Sequence, residues 1–353
     1  MFGRIFVPLD GSQGAERAIP VAARIARTGG GSIVFVHVVL PPVEFGTYSA
    51  QRTTPLNSGV LARREAEAAS YLAGITKMYA KDLTDLDTEL DVYTGATSPE
   101  MYSTARFDEG DLIVLCSHAG DSLKQWCFGS AAQEPACHSP APVLVLTKQA
   151  EALSATDALH PARILVPLDG SALAESALLP AAQLIAALAA PLQGIGKYVR
   201  HYALAHHWNP HIFAAIRGPV QGELHLVRVV DLSSGSGNKK SLAPMTSIMQ
   251  EEARQQTEHE AERYMESVTK RCEMAFAASN THVTSSIVLS PDVAGTIIKE
   301  AEPASAGAPS TGYDMIAMST RGQGGLQRLG MGSVATSVLG TSKVSLLIVQ
   351  PQQ

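Results

Sequence analysis

Apolar residues along this chain form short uninterrupted runs that are separated by longer segments of helical periodicity. Residues 112–116 and 315–318 are apolar throughout, without the alternation of a half-exposed strand, and this is typical of parallel strands covered on both faces. Residues 61–77 and 249–278 carry charged side chains at helical spacing and predict helices with a solvated face. Strands that alternate with helices predict an α/β fold with a doubly wound sheet.

The sequence also contains a long internal repeat. Residues 4–12 (RIFVPLDGS) recur as residues 163–171 (RILVPLDGS). Each copy is followed by an alanine-rich helical segment and a second apolar run, and each half ends with a Gly-Ser pair before a last apolar strand. Features that recur in the same order predict two copies of one domain.

We therefore expect two tandem, doubly wound, open parallel sheets of five strands each, flanked by helices. The first domain is predicted at residues 1–147 and the second at residues 163–353. Residues 148–162 lack periodicity and are predicted to be a linker. The offset between matching residues grows between the first and second strands of the two copies, which indicates an insertion at about 195–221 in the second domain.

The insertion is rich in histidine and aromatic residues. His207 and His211 are four residues apart, but Pro210 lies between them and no Cys, Asp or Glu of the insertion completes a ligand set. We therefore expect no metal site, and a surface hairpin or a contact surface for another protein is the favoured interpretation.

Composition limits the possible partners and location. With 353 residues the chain has the length of two domains, and 45% hydrophobic with 17% charged residues indicates a globular protein. The net charge of −6 argues against a nucleic-acid partner, because such proteins carry a basic surface. No signal-peptide pattern begins the sequence, and the most apolar run, residues 177–192, falls short of the roughly 20 residues of a membrane span. We expect a cytoplasmic protein that binds neither nucleic acid nor membrane.

The cysteines form no C-x-x-C pair and are too few for a disulfide framework in a chain of this size. They are predicted to be free thiols: Cys116, Cys127, Cys137 and Cys272.

An Asp-Gly-Ser tripeptide follows the first strand of each half, at residues 10–12 and 169–171. Ligands of open parallel sheets bind beyond the carboxyl ends of the strands, where an aspartate can accept hydrogen bonds from ribose hydroxyls or an adenine amino group. The glycines, Gly11 and Gly170, permit a tight turn, and the serine can cap the next helix. Taken alone, the pattern is explained better by a strand–turn–helix connection without a ligand.

A glycine-containing loop follows the fourth strand of the second half. Residues 319–322 (Ser-Thr-Arg-Gly) are separated by nine residues from Gly332 and Ser333, and a helix is predicted directly after them. Gly322 lets backbone N–H groups approach an anion, and Gly332 with Ser333 places further N–H groups and a hydroxyl at a helix N-terminus. The helix dipole favours phosphate there. The loop predicts a phosphate-binding site, to which Arg321 and Arg328 can add positive charge.

These motifs resemble those of the universal stress protein family, which is marked by V-P-x-D-G-S at the first strand and by G-x2-G-x9-G-[ST] before the last. The resemblance covers nearly all of both halves. It implies a Rossmann-like fold of the adenine nucleotide α-hydrolase type and a role in stress or dormancy. In the ATP-binding members, the aspartate contacts the nucleoside, a valine after the second strand meets adenine through its backbone, and the glycine motif holds the phosphates.

Carried over residue by residue, the resemblance implies an ATP site, with or without Mg²⁺, held mainly by the second half. Its candidate residues are Asp169, Gly170, Val229, Ser319, Arg321, Gly322, Gly332, Ser333 and Val334. The corresponding candidates in the first half are Asp10, Gly11, Val38, Ala119, Gly120, Gly129 and Ser130.

Two departures from the family motif bear on these sites. Ser319 stands in place of the first glycine. If that position needs a positive φ, serine costs about 1 kcal/mol or more. If it needs only a small residue, which we favour, serine costs no stability. In the first half, either Ala119 replaces a glycine or the loop from Gly120 is one residue shorter, and Asp121 adds negative charge. We expect the first site to be weaker or empty.

Three functions from different classes follow from this. The leading one is a regulatory ATP-binding module that reports binding through conformation or dimerisation. The second is an enzyme, but the chain has no G-x-x-x-x-G-K-[ST] and no evident carboxylate pair for Mg²⁺ beside the loop, so we expect no catalytic residues and at most slow ATP hydrolysis. The third is a nucleotide-free scaffold. In each case we expect the two halves to pair within the chain and the protein to form a homodimer.

Overall fold

The computed structural model describes residues 2–39, 58–94, 111–116, 139–147, 162–189, 222–231, 247–277, 281–302, 312–322 and 331–351. Within these ranges, the first half contains β1 (Arg4–Pro8), α1 (Gln13–Glu16), α2 (Ala18–Gly29), β2 (Ser32–Val39), α3 (Ser58–Met78), β3 (Thr88–Thr94), β4 (Asp111–Cys116) and β5 (Val143–Leu146). The second half contains β6 (Arg163–Pro167), α4 (Ala172–Glu175), α5 (Leu178–Ala189), β7 (Gly222–Val230), α6 (Ser247–Phe276), β8 (Thr281–Leu289), α7 (Val293–Ala301), β9 (Met315–Ser319), α8 (Ser333–Thr341) and β10 (Ser345–Val349).

The strands lie side by side in one sheet in the order β3-β2-β1-β4-β5-β10-β9-β6-β7-β8. Within each half all neighbouring strands are parallel and have the same relative order, with the first strand between the second and the fourth. The two sets of five meet where β5 pairs antiparallel with β10, with Leu144 opposite Leu347. The predicted fold class, a doubly wound parallel sheet repeated in tandem, is confirmed.

Helices cover both faces of the sheet. One apolar cluster joins the sheet to α2, α3, α5 and α6, and a second cluster joins its other face to α7 and α8. Every residue of β4, β5, β9 and β10 is buried, whereas the outermost strands β3 and β8 are partly exposed along their length. The uninterrupted apolar runs at 112–116 and 315–318 are therefore central strands, as the sequence predicts.

The long helix α6 contacts the sheet along one narrow face. Ala261, Met265, Val268 and Cys272 are buried, and their spacing of three to four residues puts them on one side of the helix. The charged residues between them are mostly exposed, and Arg254 pairs with Glu258 one turn away at 2.9 Å. The predicted solvated face is confirmed.

Two of the cysteines can be located, and both Cys116 and Cys272 are buried free thiols. Cys127 and Cys137, the insertion at 195–221 and residues 148–161 of the linker lie outside the described residues. In the described part of the chain, no helix has the length and apolarity to cross a membrane.

Candidate functional site

A cleft of about 230 Å³ lies at the carboxyl end of the second half's strands. The turn after β6, the end of β7, the helix α7, the end of β9 and the start of α8 form its walls. This is the switch point of the half, because the chain passes from β6 to β7 on one side and β9 lies on the other. Eight candidate residues of the second half line it: Asp169, Val229, Ser319, Arg321, Gly322, Gly332, Ser333 and Val334.

The ninth candidate, Gly170, shapes the turn that carries Asp169. Its φ of +88° is in the left-handed region, and Gly11 in the first half has the same value. A side chain is strained in this conformation, so the predicted need for glycine in both turns is confirmed.

The Asp-Gly-Ser turn is closed by its own side chains. Asp169 Oδ1 accepts hydrogen bonds from the Ser171 amide at 2.9 Å and from the Ser171 hydroxyl at 2.6 Å. Ser171 Oγ in turn accepts a hydrogen bond from the Ala174 amide at 3.1 Å and caps α4. The predicted cap is confirmed, and the capped turn also places Asp169 at the wall of the cleft.

Gly322 is needed for space. Its φ lies outside the left-handed region, but a Cβ atom there would overlap Asp169 Oδ2 and would lie 3.1 Å from Asp169 Cγ. The sequence assigns Gly322 to the approach of an anion. The structure adds a second reason, which is that the absence of a side chain leaves room for the Asp169 carboxylate.

Ser319 fits the position of the first motif glycine. It is the buried last residue of β9, and among the described residues other than glycine only Asp85 has a positive φ. The Ser319 hydroxyl accepts a hydrogen bond from the Arg321 amide at 3.2 Å. Serine therefore has no conformational cost here, and the preference for a small residue over a positive φ is confirmed.

The start of α8 offers amide groups to the cleft. Gly332 is the N-cap residue, with φ −64° and ψ 156°, and no side chain caps the helix. The amides of Ser333, Val334 and Ala335 are in the first turn, where a helix provides no internal acceptor and the dipole favours an anion. The expectation that Gly332 also contributes its amide is wrong, because this N–H donates to the Thr320 carbonyl at 2.8 Å.

Apart from Thr320, the remaining walls of the cleft are apolar and were not predicted. Ala174, Val293, Ile297 and Met318 join Val229 around the opening. Val293 and Ile297 are four residues apart and so lie on one face of α7. That spacing is visible in the sequence, but nothing in the sequence shows that the face meets the end of β9. A cleft with apolar walls and a few converging polar groups suits a ligand that combines a flat ring with an anionic group.

In the first half only part of the corresponding site can be placed. Asp10 Oδ1 accepts a hydrogen bond from the Ser12 amide at 3.0 Å, and Ser12 caps α1 through the Ala15 amide at 3.2 Å. Val38 is half-buried at the end of β2. Four first-half candidates lie outside the described residues: Ala119, Gly120, Gly129 and Ser130. Asp121, and Arg328 of the second half, also lie outside them. The weaker first site stays a prediction.

Comparison with known proteins gives the family. The universal stress protein family matches residues 1–147 and 212–350. The chain belongs to the universal stress protein family. The matched segments leave out residues 148–211, which include β6 and Asp169. The structure places β6 between β7 and β9, as β1 lies between β2 and β4.

Solved universal stress proteins are similar to the chain, and the first of those below shares its fold over nearly the whole length. One from Archaeoglobus fulgidus DSM 4304 is 16% identical, with 99% of this chain and 97% of that chain covered and a TM-score of 0.56. Universal stress protein UspA from Lactobacillus plantarum is 17% identical over 54% of this chain and 98% of its own, with a TM-score of 0.35. A universal stress protein in complex with cAMP is 18% identical over 41% of this chain and 96% of its own, with a TM-score of 0.31. No curated protein matches the chain.

Proposed function

We propose that this universal stress protein is an ATP-binding regulatory module and that its second half holds the nucleotide. One observation carries the proposal: Asp169 and the uncapped N-terminus of α8 line the same cleft, together with Arg321 and a set of apolar side chains. Membership of a family in which nucleotide complexes occur supports the choice of an adenine nucleotide.

The chemistry of the walls suggests how ATP is held. The side chains of Val293 and Ile297, with the backbone of Val229, form an apolar surface for adenine. Asp169 is an acceptor for the nucleoside hydroxyls. Bound phosphates would meet the first-turn amides of α8, where hydrogen bonds and the helix dipole act together.

Charge in the cleft supports the same assignment. Arg321 lines it and can pair with phosphate oxygens. Among the described lining residues, Asp169 is the one carboxylate. Any Mg²⁺ that accompanies ATP would therefore be held mainly by the phosphates.

We propose binding rather than turnover as the function. Hydrolysis needs a group that positions or activates water beside the phosphates, and Asp169 has one oxygen engaged by Ser171. A slow ATPase is the second candidate, and steady turnover abolished by D169A would favour it. A nucleotide-free scaffold is the third candidate, and thermal stability that does not change on adding ATP would favour it.

The arrangement of the two halves is part of the proposal. Pairing within one chain is supported by the β5–β10 joint and by the Thr147 amide, which donates to Ser345 Oγ at 3.3 Å. The Arg24 guanidinium also donates to the Leu188 carbonyl across the joint. The domain bounds 1–147 and 163–353, a homodimer, a cytoplasmic location and a role in stress remain proposals.

Nucleotide retained by the purified protein tests the assignment. The protein is purified without added nucleotide and denatured, and the supernatant is analysed by chromatography. We expect ATP or ADP in a molar ratio approaching one per chain. An empty supernatant, together with no calorimetric binding at millimolar ATP, would contradict the proposal and favour the nucleotide-free scaffold.

A further inference from the structure

The short helix after the Asp169 turn is held from outside by α6. Glu175, the last residue of α4, accepts a hydrogen bond from the Tyr264 hydroxyl at 3.1 Å. The Arg271 guanidinium donates to both oxygens of the same carboxylate, at 3.0 and 2.9 Å. Half-buried Tyr264 and exposed Arg271, two helical turns apart on α6, thus both bind a carboxylate that is six residues from Asp169.

The path from Glu175 to Asp169 is short and made of hydrogen bonds. The Glu175 amide donates to the Ser171 carbonyl at 3.3 Å. The Ser171 hydroxyl donates to Asp169 Oδ1 at 2.6 Å. A shift of α4 therefore moves Ser171, and Ser171 sets the direction in which the Asp169 carboxylate points.

Tyr264 also contacts the strand at the other wall of the cleft. The Arg228 guanidinium carbon lies 5.2 Å from the centre of the Tyr264 ring, a distance at which a cation is attracted to an aromatic face. Arg228 directly precedes Val229, which lines the cleft. Burial, followed by the charge of Glu175, raises the pKa of Tyr264, so its hydroxyl remains a donor throughout the physiological range.

In the first half, tyrosine hydroxyls also bind the corresponding carboxylate, that of Glu16, but among the described residues no arginine pairs with it. Glu16 accepts hydrogen bonds from the Tyr71 hydroxyl at 3.0 Å and from the Tyr79 hydroxyl at 3.2 Å. Tyr71 therefore corresponds to Tyr264, on the long helix of its own half. The repeat provides a matched internal control for any substitution in the second half.

We propose that Tyr264 and Arg271 are positioning residues of the nucleotide site, which act through Glu175 to hold the Asp169 turn in its binding geometry. The inference rests on the proposed function, because it concerns the same cleft. Binding is tighter when the site is held in its bound geometry in advance. The coupling is reciprocal, so bound nucleotide must also strengthen the attachment of α6 to α4.

The test compares Y264F and R271Q with two matched controls in the full-length protein. Y71F removes the corresponding hydroxyl in the first half. R254Q removes an ion pair on α6 that involves Glu258 and does not touch Glu175. Calorimetric dissociation constants for ATP and AMP are measured for all four variants and the wild type, with thermal unfolding as a measure of folding.

Y264F and R271Q should each raise the dissociation constant about threefold to tenfold. This is less than the full effect of a lost hydrogen bond to a charged group, because both residues act on Asp169 only through Glu175 and Ser171. The factor should be the same for ATP and AMP, because Asp169 is assigned to the nucleoside that both ligands contain. Y71F and R254Q should leave both constants unchanged. Arg271 is 56% exposed, so R271Q provides the test should Y264F unfold.

Each of four outcomes overturns the inference. If Y264F and R271Q both bind ATP as tightly as the wild type, the inference fails and the proposed function stands. The same holds if the controls Y71F and R254Q lose as much affinity as Y264F and R271Q. If the loss of affinity is larger for ATP than for AMP, the substitutions act on the phosphate contacts at α8 and not on Asp169. A wild-type protein that binds no ATP would instead remove the proposed function, and the inference with it.

Discussion

The Asp169 carboxylate fills the space in which a side chain at Gly322 would have to begin. A Cβ atom on Gly322 would overlap Asp169 Oδ2, whereas one on Gly332 would have, of the residues that the structure describes, only the Thr320 carbonyl oxygen nearby, at 3.5 Å. The two glycines of the motif therefore differ in what they require. Gly322 is constrained by the aspartate of the first motif, whereas the described residues around Gly332 leave room for a methyl group.

The first prediction concerns this contact. In G322A the Asp169 carboxylate must turn away, which breaks its hydrogen bonds with Ser171 and costs about 1–3 kcal/mol of stability. ATP affinity should fall at least about tenfold, since the displaced group faces the cleft. G332A should lower stability by less than G322A, by about 0.5–1 kcal/mol, because alanine is a poorer N-cap residue than glycine. Urea unfolding and calorimetry measure both, and equal stability losses in the two variants would contradict the account.

The second prediction separates capping from binding at the Asp-Gly-Ser turns. S171A and S12A each remove a helix cap and should lower stability by about 1 kcal/mol. S171A also removes the hydroxyl that holds Asp169 Oδ1, so it alone should weaken ATP binding. Similar losses of ATP affinity in both variants would mean that the first half contributes to the same binding event.

The third prediction is a dependence of stability on pH caused by His225. Its ring nitrogens are 2.7 Å from Thr284 Oγ1 and 2.8 Å from Ser286 Oγ, and the ring stacks on Tyr313. Burial lowers the pKa of His225, against the opposing effect of Glu223 and Glu300 and with a further lowering by Arg163. Between roughly pH 6.5 and the lower folded pKa, the unfolded state binds a proton that the folded state does not.

It follows that His225 contributes stability above pH 6.5 and that this contribution is lost as the pH falls through the folded pKa. H225V removes the titrating group; valine is the residue at the matching position of the first half, Val34, by strand register. Urea unfolding of wild type and H225V from pH 7.5 to 5 should show the wild type losing more stability, with a slope of at most about 1.4 kcal/mol per pH unit. Parallel curves would contradict the assignment.

Features that recur within a short stretch of sequence could be predicted, and those that join distant segments could not. The repeated Asp-Gly-Ser gave the two tight turns at Gly11 and Gly170, because a positive φ is a local requirement. The uninterrupted apolar runs predicted the central parallel strands, because burial of both faces of a strand is also visible within a short segment. Gly322 and Asp169 are about 150 residues apart in the sequence. The motif therefore indicated that a glycine is needed at 322 but not that the Asp169 carboxylate is the reason.

Side-chain pairs across the fold were missed altogether. Tyr264 and Glu175 are 89 residues apart, and each is ordinary in its local sequence, one on a polar helix and the other at the end of a single turn. The role expected of the Gly332 amide was also wrong, because this N–H donates to the Thr320 carbonyl, a partner outside its own local sequence. Such contacts are set by the packing of complete elements, which no local pattern encodes.

The central claim is that the second half binds ATP through Asp169, and calorimetric titration of wild type, D169A and D10A with ATP tests it most directly. Asp10 holds the same place in the repeat, so D10A controls for the loss of a turn aspartate as such. The account predicts one strong site in the wild type, at least about tenfold weaker binding in D169A, and a strong site that remains in D10A. Binding that survives D169A and disappears in D10A would place the nucleotide in the first half and contradict the account.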